Sequence, residues 1–520
     1  MAGLALLAGL APAAASAAER APGPAVLEKA DRFVREQKER ADIPGVAYSV
    51  VRGDDMVHSG VYGQDGRGDP VTTRTPFLVG SLAKPVTALA VMRQAEEGRV
   101  GLDAPVRRYL SWFRPRGEGQ KPVTVRQLLN QSSGLSERDG IARADRFDNE
   151  PDGVQRLARD LANVSLSAAP GERHEYSNAN YMLLGALLEE VTGKPFDAEL
   201  RENVLKPLGM DGAITNSEEA ERAGLAPGHR FLFGQPKKFD YGYDTSGVPY
   251  GYLGANLEDL SAFASAQLEG GGRGVLSREG FRQMHEGTVS VHDRHRYGFG
   301  WRDDDVDGLG ERMVWHSGAT PGYHGIVVLL PERDLAVVVQ YNAAGLAKEN
   351  LLNNTAFGVA RILLGSEPRP VDEGSWLTRL LVVLGAVAVV LAAAVGRSAF
   401  RVVRPRCGRR RSALRIVIGG VTAVTLCLLT AAAACFVLPE QMGGTLRVAL
   451  LFVPDAGWLL VTVAGLALVL ALLRAGVTIR ALTRLRQGTP ERRARDPLAV
   501  NRPERSRTTP VSQTGVPGDR

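Results

Sequence analysis

Cysteine is almost missing from this chain of 520 residues: there are three, Cys407, Cys427 and Cys435. Nothing before them can form a disulfide. A domain of over roughly 300 residues buries enough apolar surface to do without one, so cysteine usage neither supports nor excludes export. No Cys/His cluster has zinc-ligand spacing, and the sequence implies neither a metal nor a cofactor. An excess of positive charge is missing from the front of the chain. Residues 1–366 carry 41 Lys+Arg against 48 Asp+Glu, which argues against nucleic acid as a partner. Residues 367–520 carry 22 against 9, so the overall net charge of +6 describes neither part. The amino end lacks the positive segment of an ordinary leader. Its apolar run and the small residues Ala15-Ser16-Ala17 still predict a signal peptide over 1–18, atypical in that respect.

Charge is also absent from three long runs near the carboxyl end, 380–395, 416–439 and 456–473; with Trp376 heading the first and Arg379 close enough to its end to snorkel, these predict membrane spans at 376–396, 416–439 and 456–473. A linker at 367–375 precedes them. The loop 397–415 holds eight arginines and no acid, the short 440–447 loop is not basic overall, and the tail 474–520 is rich in arginine again. The positive-inside rule puts the first loop and the C-terminus in the cytoplasm; with three spans, the front domain is then outside. A cleaved leader requires the same. Trp458 is expected near the interface and Asp455 as the cap of the third span, with 448–454 either interfacial or part of it. The Pro/Arg/Thr-rich end of the tail predicts disorder. The lipid bilayer is thus an expected partner, and nucleic acid is not.

In the front part, 25–40 reads as an amphipathic helix. Residues 45–51 and 57–62 read as a hairpin, and 81–97 as a helix ended by Gly98. Helical patterns follow at 125–130, 153–162, 180–192, 197–204 and 257–268. Strands return at 297–302, 313–315, 323–331 and 335–341, before a last helix at 348–364. Strands at both chain ends with helices between predict an antiparallel sheet flanked by helices, with a helical region inserted.

Three constellations in this part carry chemistry. Nine lysines are present, and only Lys84 has a serine three residues before it, in Ser81-Leu82-Ala83-Lys84. Residues i and i+3 share a helix face, and an amine there can serve as the base that a serine hydroxyl needs. The second is Tyr176-Ser177-Asn178, ahead of an apolar helix. A phenol beside a cationic amine ionises more readily and can shuttle a proton. The third is His316-Ser317-Gly318-Ala319, at the end of a strand among glycines that let a substrate approach the backbone. Each has an ordinary reading as well: a helix-capping serine with a solvated lysine, an Asn178 cap over a packed Tyr176, and a tight turn with an incidental histidine.

In their order and flanks the three resemble the motifs of the serine β-lactamase-like family, which includes class C β-lactamases, penicillin-binding D-alanyl-D-alanine carboxypeptidases, and related esterases and peptidases. The flanks that share the resemblance are Leu128-Leu129 with Ser133-Gly134-Leu135, the helix after Tyr181, and Tyr297-Gly298-Phe299-Gly300-Trp301. It spans about residues 25–365. It implies an α/β (α+β) β-lactamase/transpeptidase-like fold, in which an antiparallel sheet flanked by helices joins an all-helical domain. It also implies an acyl-enzyme mechanism on a small-molecule or peptide ester or amide, D-amino-acid or cell-wall-related peptides included. Ser81 would be the nucleophile, with Lys84 and Tyr176 sharing the acid–base work. The N–H groups of Ser81 and Ala319 would form the oxyanion hole. Asn178 would hold substrate and position Lys84, and His316, Ser317 and Gly318 would line the far side.

Two positions depart from the family pattern. Asn130-Gln131 stands where many relatives have a histidine, with little catalytic consequence expected. His316 stands in place of a lysine. A lysine there is a permanent cation for a substrate carboxylate, whereas histidine is mostly neutral at pH 7. Poor turnover of β-lactams and D-alanyl-D-alanine is therefore expected. Two other functions fit the same motifs: a penicillin-binding-type sensor that signals through the spans, and a non-catalytic interaction domain.

Overall fold

In the computed structural model, residues 22–487 are described, apart from 118, 120, 270–273, 372–374, 404–411 and 443. The expected leader, the middle of the basic loop, part of the linker and the tail beyond 487 lie outside the described residues. The chain forms two compact units: residues to 390 with 431–465, and residues 391–430 with those from 466 on.

The first unit is built on an eight-stranded sheet. Its strands are β1 (Gly45–Arg52), β2 (Asp55–Gly63), β3 (Val289–His292), β4 (His295–Tyr297), β5 (Arg302–Val306), β6 (Glu311–Thr320), β7 (Tyr323–Leu330) and β8 (Leu335–Tyr341). They lie in the order β2-β1-β8-β7-β6-β5-β4-β3, every pair antiparallel. The chain's two ends meet where β1 pairs with β8, Val46 opposite Tyr341. Strands β1, β7 and β8 are apolar almost throughout because both faces of the sheet are covered. Side chains alternate between faces. Tyr48, Val50, Ile326 and Val328 pack under the helices Pro24–Arg40 and Glu349–Leu363. Ala47, Val51, Val327 and Leu329 pack under the helix Ala83–Glu96 and the helical region behind it. That region includes the helix Asn178–Thr192, ten of whose residues are buried.

Two sequence expectations need correcting here. Residues 297–302 are not one strand: β4 ends at Tyr297 and β5 begins at Arg302. Phe299 and Trp301 are buried in the intervening turn, and Gly300 has φ 78°. A Cβ on Gly300 would stand 2.8 Å from Pro85 Cα, so this turn presses against the backbone of the Lys84 helix. The second concerns His316, which lies within the ten-residue β6 rather than at a strand end. Pairing with β7 continues to Thr320 opposite Tyr323, while pairing with β5 stops at Trp315 opposite Arg302. The β5-side edge of β6 is thus released at His316.

Among the described residues, three helices are long and apolar enough to cross a membrane: Trp376–Val403, Ala413–Gln441 and Pro454–Leu485. Each extends beyond the run expected from hydropathy. The open stretch before the third span is a separate short helix, Leu446–Phe452, and Asp455 sits inside the next helix rather than capping it. The second unit has a small core of its own, with Cys427, Leu470 and Ala471 buried. Gly420 admits Thr478 so closely there that a Cβ would meet its side chain at 2.6 Å.

Candidate active site

Ser81 sits on a single 3₁₀ turn, Gly80–Leu82, that runs straight into the helix Ala83–Glu96. The turn is bent by Gly80, whose φ of 58° suits glycine. Gly80 and Gly318 also let two backbones touch. A Cβ on Gly80 would stand 2.3 Å from the Ala319 nitrogen, and one on Gly318 2.3 Å from the Ser81 nitrogen. The edge of β6 released beyond Trp315 therefore lies directly against the serine turn, bringing the main-chain nitrogens of Ser81 and Ala319 to one place.

Lys84 is fully buried. Its Nζ donates to Ser81 Oγ at 2.8 Å and to the Tyr250 carbonyl at 2.8 Å. That carbonyl belongs to a five-residue π turn, Val248–Tyr252, and the neighbouring Pro249 carbonyl accepts from Thr87 Oγ1 at 2.8 Å. A π turn leaves such carbonyls open to outside donors. Among the described hydrogen bonds the amine's second anchor is thus Tyr250, not Asn178. No carboxylate partners the amine in them, and burial drives its pKa well below the ordinary value.

Tyr176 stands beside this amine, with Lys84 Nζ 5.0 Å from its ring centre, and both Tyr176 and Ser81 line the same cavity. The sequence suggests an easily ionised phenol. The structure differs: burial pushes the Tyr176 pKa up to about 12, against smaller lowering by Ser81 and Arg302. The reason is shared with Lys84, since the same dry surroundings that disfavour a charged amine also disfavour phenolate. His316 is likewise held neutral, chiefly by its burial, with the Arg302 cation acting in the same direction. Its Nε2 lies 3.1 Å from the Tyr297 hydroxyl, and the Tyr176, Tyr297 and His316 rings are packed together at 6.1–6.2 Å.

The loop carrying Tyr176 is fixed from below. Gln131, at φ 60°, accepts from the Ser177 N–H at 2.9 Å and from Asn180 Nδ2 at 2.5 Å through its side chain, and from the Glu175 N–H at 2.9 Å through its carbonyl. A residue expected to matter little thus holds the Tyr176 loop in place. The helix cap is Ser177, whose side chain accepts from the Ala179 N–H, leaving Asn178 as the first helical residue.

These groups border one cavity of about 460 Å³. Ser81, Tyr176, Asn178, His316, Ser317, Gly318 and Ala319 all line it; Lys84 lies behind the serine. Sequence reasoning missed three further contributions, one of them from a pair of residues. Tyr250 acts through its carbonyl, which no side-chain motif announces. Arg302 and Glu349 line the cavity as a cation and an acid, one from a strand and one from the final helix of the domain. The third is the segment beyond the second apolar helix, which contributes Met442, Val448 and Phe452.

The chain can now be compared with known proteins. The Beta-lactamase family model matches residues 30–359. Protein flp of Staphylococcus aureus (strain N315) is 24% identical over 318 residues, covering 61% of this chain and 63% of that protein. The chain therefore spans less than two thirds of the length of that relative. Unguisins hydrolase ungD' of Aspergillus campestris is 26% identical over 327 residues, 59% of this chain and 60% of that protein. Among solved structures, the octameric penicillin-binding protein homologue from Pyrococcus abyssi superposes with a TM-score of 0.58 at 28% identity, covering 68% of this chain and 81% of the other. EstCE1, a hydrolase with promiscuous acyltransferase activity, gives 0.56 at 22% identity over 64% of this chain and 99% of its own, a likeness of fold alone.

Proposed function

The chain belongs to the Beta-lactamase family, and on that footing we propose that it is a membrane-anchored, extracytoplasmic serine hydrolase cleaving an ester or amide through an acyl-enzyme. The observation that carries this reading is the 2.8 Å hydrogen bond between Lys84 Nζ and Ser81 Oγ, made by an amine whose pKa burial lowers well below its ordinary value. An uncharged lysine has a lone pair to offer a serine proton; a solvated one does not.

In the proposed sequence Lys84 takes the proton of Ser81 as Oγ bonds to the carbonyl carbon. The N–H groups of Ser81 and Ala319 hold the oxyanion, each such donor being worth a factor of about 10²–10³ in rate. The tetrahedral adduct collapses, and the leaving oxygen or nitrogen receives the proton from Lys84 through the Tyr176 hydroxyl. A phenol held un-ionised suits that donor role. Water then attacks the acyl-enzyme, gives its proton to the same pair, and Ser81 departs re-protonated. Asn178 binds the substrate, and His316, Ser317 and Gly318 form the opposite wall.

The membrane placement rests on the three apolar helices and on loop charge. It gains support from Arg447, which follows the second apolar helix and donates to the Asp145 carbonyl of the catalytic domain at 2.7 Å. The loop between the second and third spans then shares the domain's side of the membrane, as the charge pattern asks. The test uses the full chain with a fluorophosphonate probe and a panel of esters, D-peptides and β-lactams. Ser81→Ala is expected to lose both labelling and turnover; full activity in that variant overturns the mechanism.

A further inference from the structure

The serine cavity is closed on one side by residues from outside the matched family region. Met442, Val448 and Phe452 line it, and they come from the end of the second apolar helix and the short helix Leu446–Phe452. That helix is fastened to the domain at several points. Arg447 donates to the Asp145 carbonyl at 2.7 Å and to the Tyr241 hydroxyl at 3.3 Å. Arg230 donates to the Leu450 carbonyl at 3.2 Å, and the Phe233 N–H donates to buried Asp455 at 3.2 Å. Gly457 lets the next helix start against it, where a Cβ would stand 2.8 Å from Leu450 Cα.

A second cavity, of about 670 Å³, adjoins the first and shares Glu137 and Ile141 with it. Its other apolar lining is Cys435, Phe436 and Leu446. Cys435 and Phe436 lie on the helix Ala413–Gln441, which is apolar enough to span a bilayer, and Phe436 is 72% exposed. The charged residues of this cavity, Glu137, Arg138, Glu440 and Arg447, are exposed. The space beside Ser81 thus adjoins, at Glu137 and Ile141, an apolar space that ends on the helix Ala413–Gln441.

We propose that the substrate is a membrane amphiphile: an ester or amide whose carbonyl meets Ser81 while its hydrocarbon chain lies along Ile141, Leu446 and Phe436, drawn from the bilayer. This rests on the serine-hydrolase reading above and adds the substrate class to it. A water-soluble substrate gives no reason for a segment between two spans to wall the catalytic cavity. A lipid-borne chain does, because burying each methylene there multiplies kcat/KM by about three- to fourfold.

The experiment uses the full chain in nanodiscs and p-nitrophenyl esters from acetate to decanoate, kept below their micelle concentrations. Fluorophosphonate labelling of Ser81 is followed in parallel. Rising kcat/KM with chain length is expected, and Ile141→Trp and Leu446→Trp should each cut the decanoate-to-acetate ratio at least about tenfold, the loss of two buried methylenes. The labelling reaction verifies that each variant retains a formed site. Labelling with a flat chain-length profile, or an unchanged ratio in both variants, overturns the substrate class and leaves the serine-hydrolase reading standing. Absence of labelling in the unaltered chain overturns both. The bilayer as the source is read by placing the decanoate ester in the enzyme's own disc or on albumin in solution. Faster turnover from the disc is expected, and equal rates overturn that part.

Discussion

Lys84 shows how one side chain trades stability for chemistry. Burial lowers its pKa well below 10.5, so the fold holds that proton more weakly than the unfolded chain does. This costs stability at any pH below the unfolded value near ~10.4, and the cost shrinks as pH rises toward that value. Lys84→Met, similar in length and apolar, is expected to abolish ester turnover while raising Tm by a few degrees at pH 7, with the gain fading by about pH 10. Thermal denaturation across pH checks this, and a lower Tm at pH 7 contradicts it. The same depressed pKa sets the acid limb of kcat/KM, expected well below 10.5 and missing from any variant rescued by another base. His316 makes the complementary point about substrate. Held neutral, it offers no fixed charge to a carboxylate, and Arg302, a cation lining the cavity, already acts on Glu349. Nitrocefin turnover is accordingly expected to be slow beside that of p-nitrophenyl esters; efficient nitrocefin hydrolysis by the purified protein contradicts that.

At the scale of elements, the site depends on two backbones meeting where neither has a side chain. Gly318→Ala places a Cβ 2.3 Å from the Ser81 nitrogen and 2.2 Å from the Val79 carbonyl oxygen, backbone atoms that cannot swing aside. Strand and serine turn must separate, and an oxyanion donor moves with them. A fall in kcat of about 10²–10³ with little change in KM is expected, the signature of a lost transition-state contact. An unaltered kcat removes Ala319 from the oxyanion hole. This contact also marks the limit of what the sequence discloses. The helix at Ser81, the β1–β2 hairpin and the final helix were legible because their apolar periodicity is long and their ends carry glycine or polar punctuation. The grouping of Ser81, Lys84 and Tyr176 was legible because it is made of side chains in a recognisable order. Less legible was whatever depends on backbone alone. Glycines 318 and 300 read as strand end and strand interior, whereas one admits the serine turn and the other presses on Pro85. The Tyr250 carbonyl has no signal at all. The hairpin of Gly228–Leu232 and Gln235–Phe239 escaped notice because Phe233, with φ 49°, occupies a turn position that usually announces itself with Asn or Asp.

For the whole molecule, the proposed orientation combines loop charge with span number. If the three apolar helices all span, the two ends lie on opposite sides. In that reading the arginines of 397–415 and of the tail mark the inner side, and the Ser81 domain shares the outer side with the loop between the second and third spans. That loop and the domain are joined by Arg447, whose bonds to Asp145 and Tyr241 require one compartment for both. The two arguments are independent, one from charge that never enters the site and one from contacts that border it. They predict opposite accessibility for two exposed positions, 397 in the first apolar helix and 441 at the end of the second. In a chain whose three native cysteines are replaced by serine or alanine, Gln441→Cys is expected to react with a membrane-impermeant maleimide on intact cells. Arg397→Cys should react only after permeabilisation. If both react in intact cells, or if the pattern is reversed, the charge-derived orientation fails. The Arg447 contacts would still hold the loop to the domain, but both would then face the cytoplasm, where an outer-leaflet substrate is out of reach.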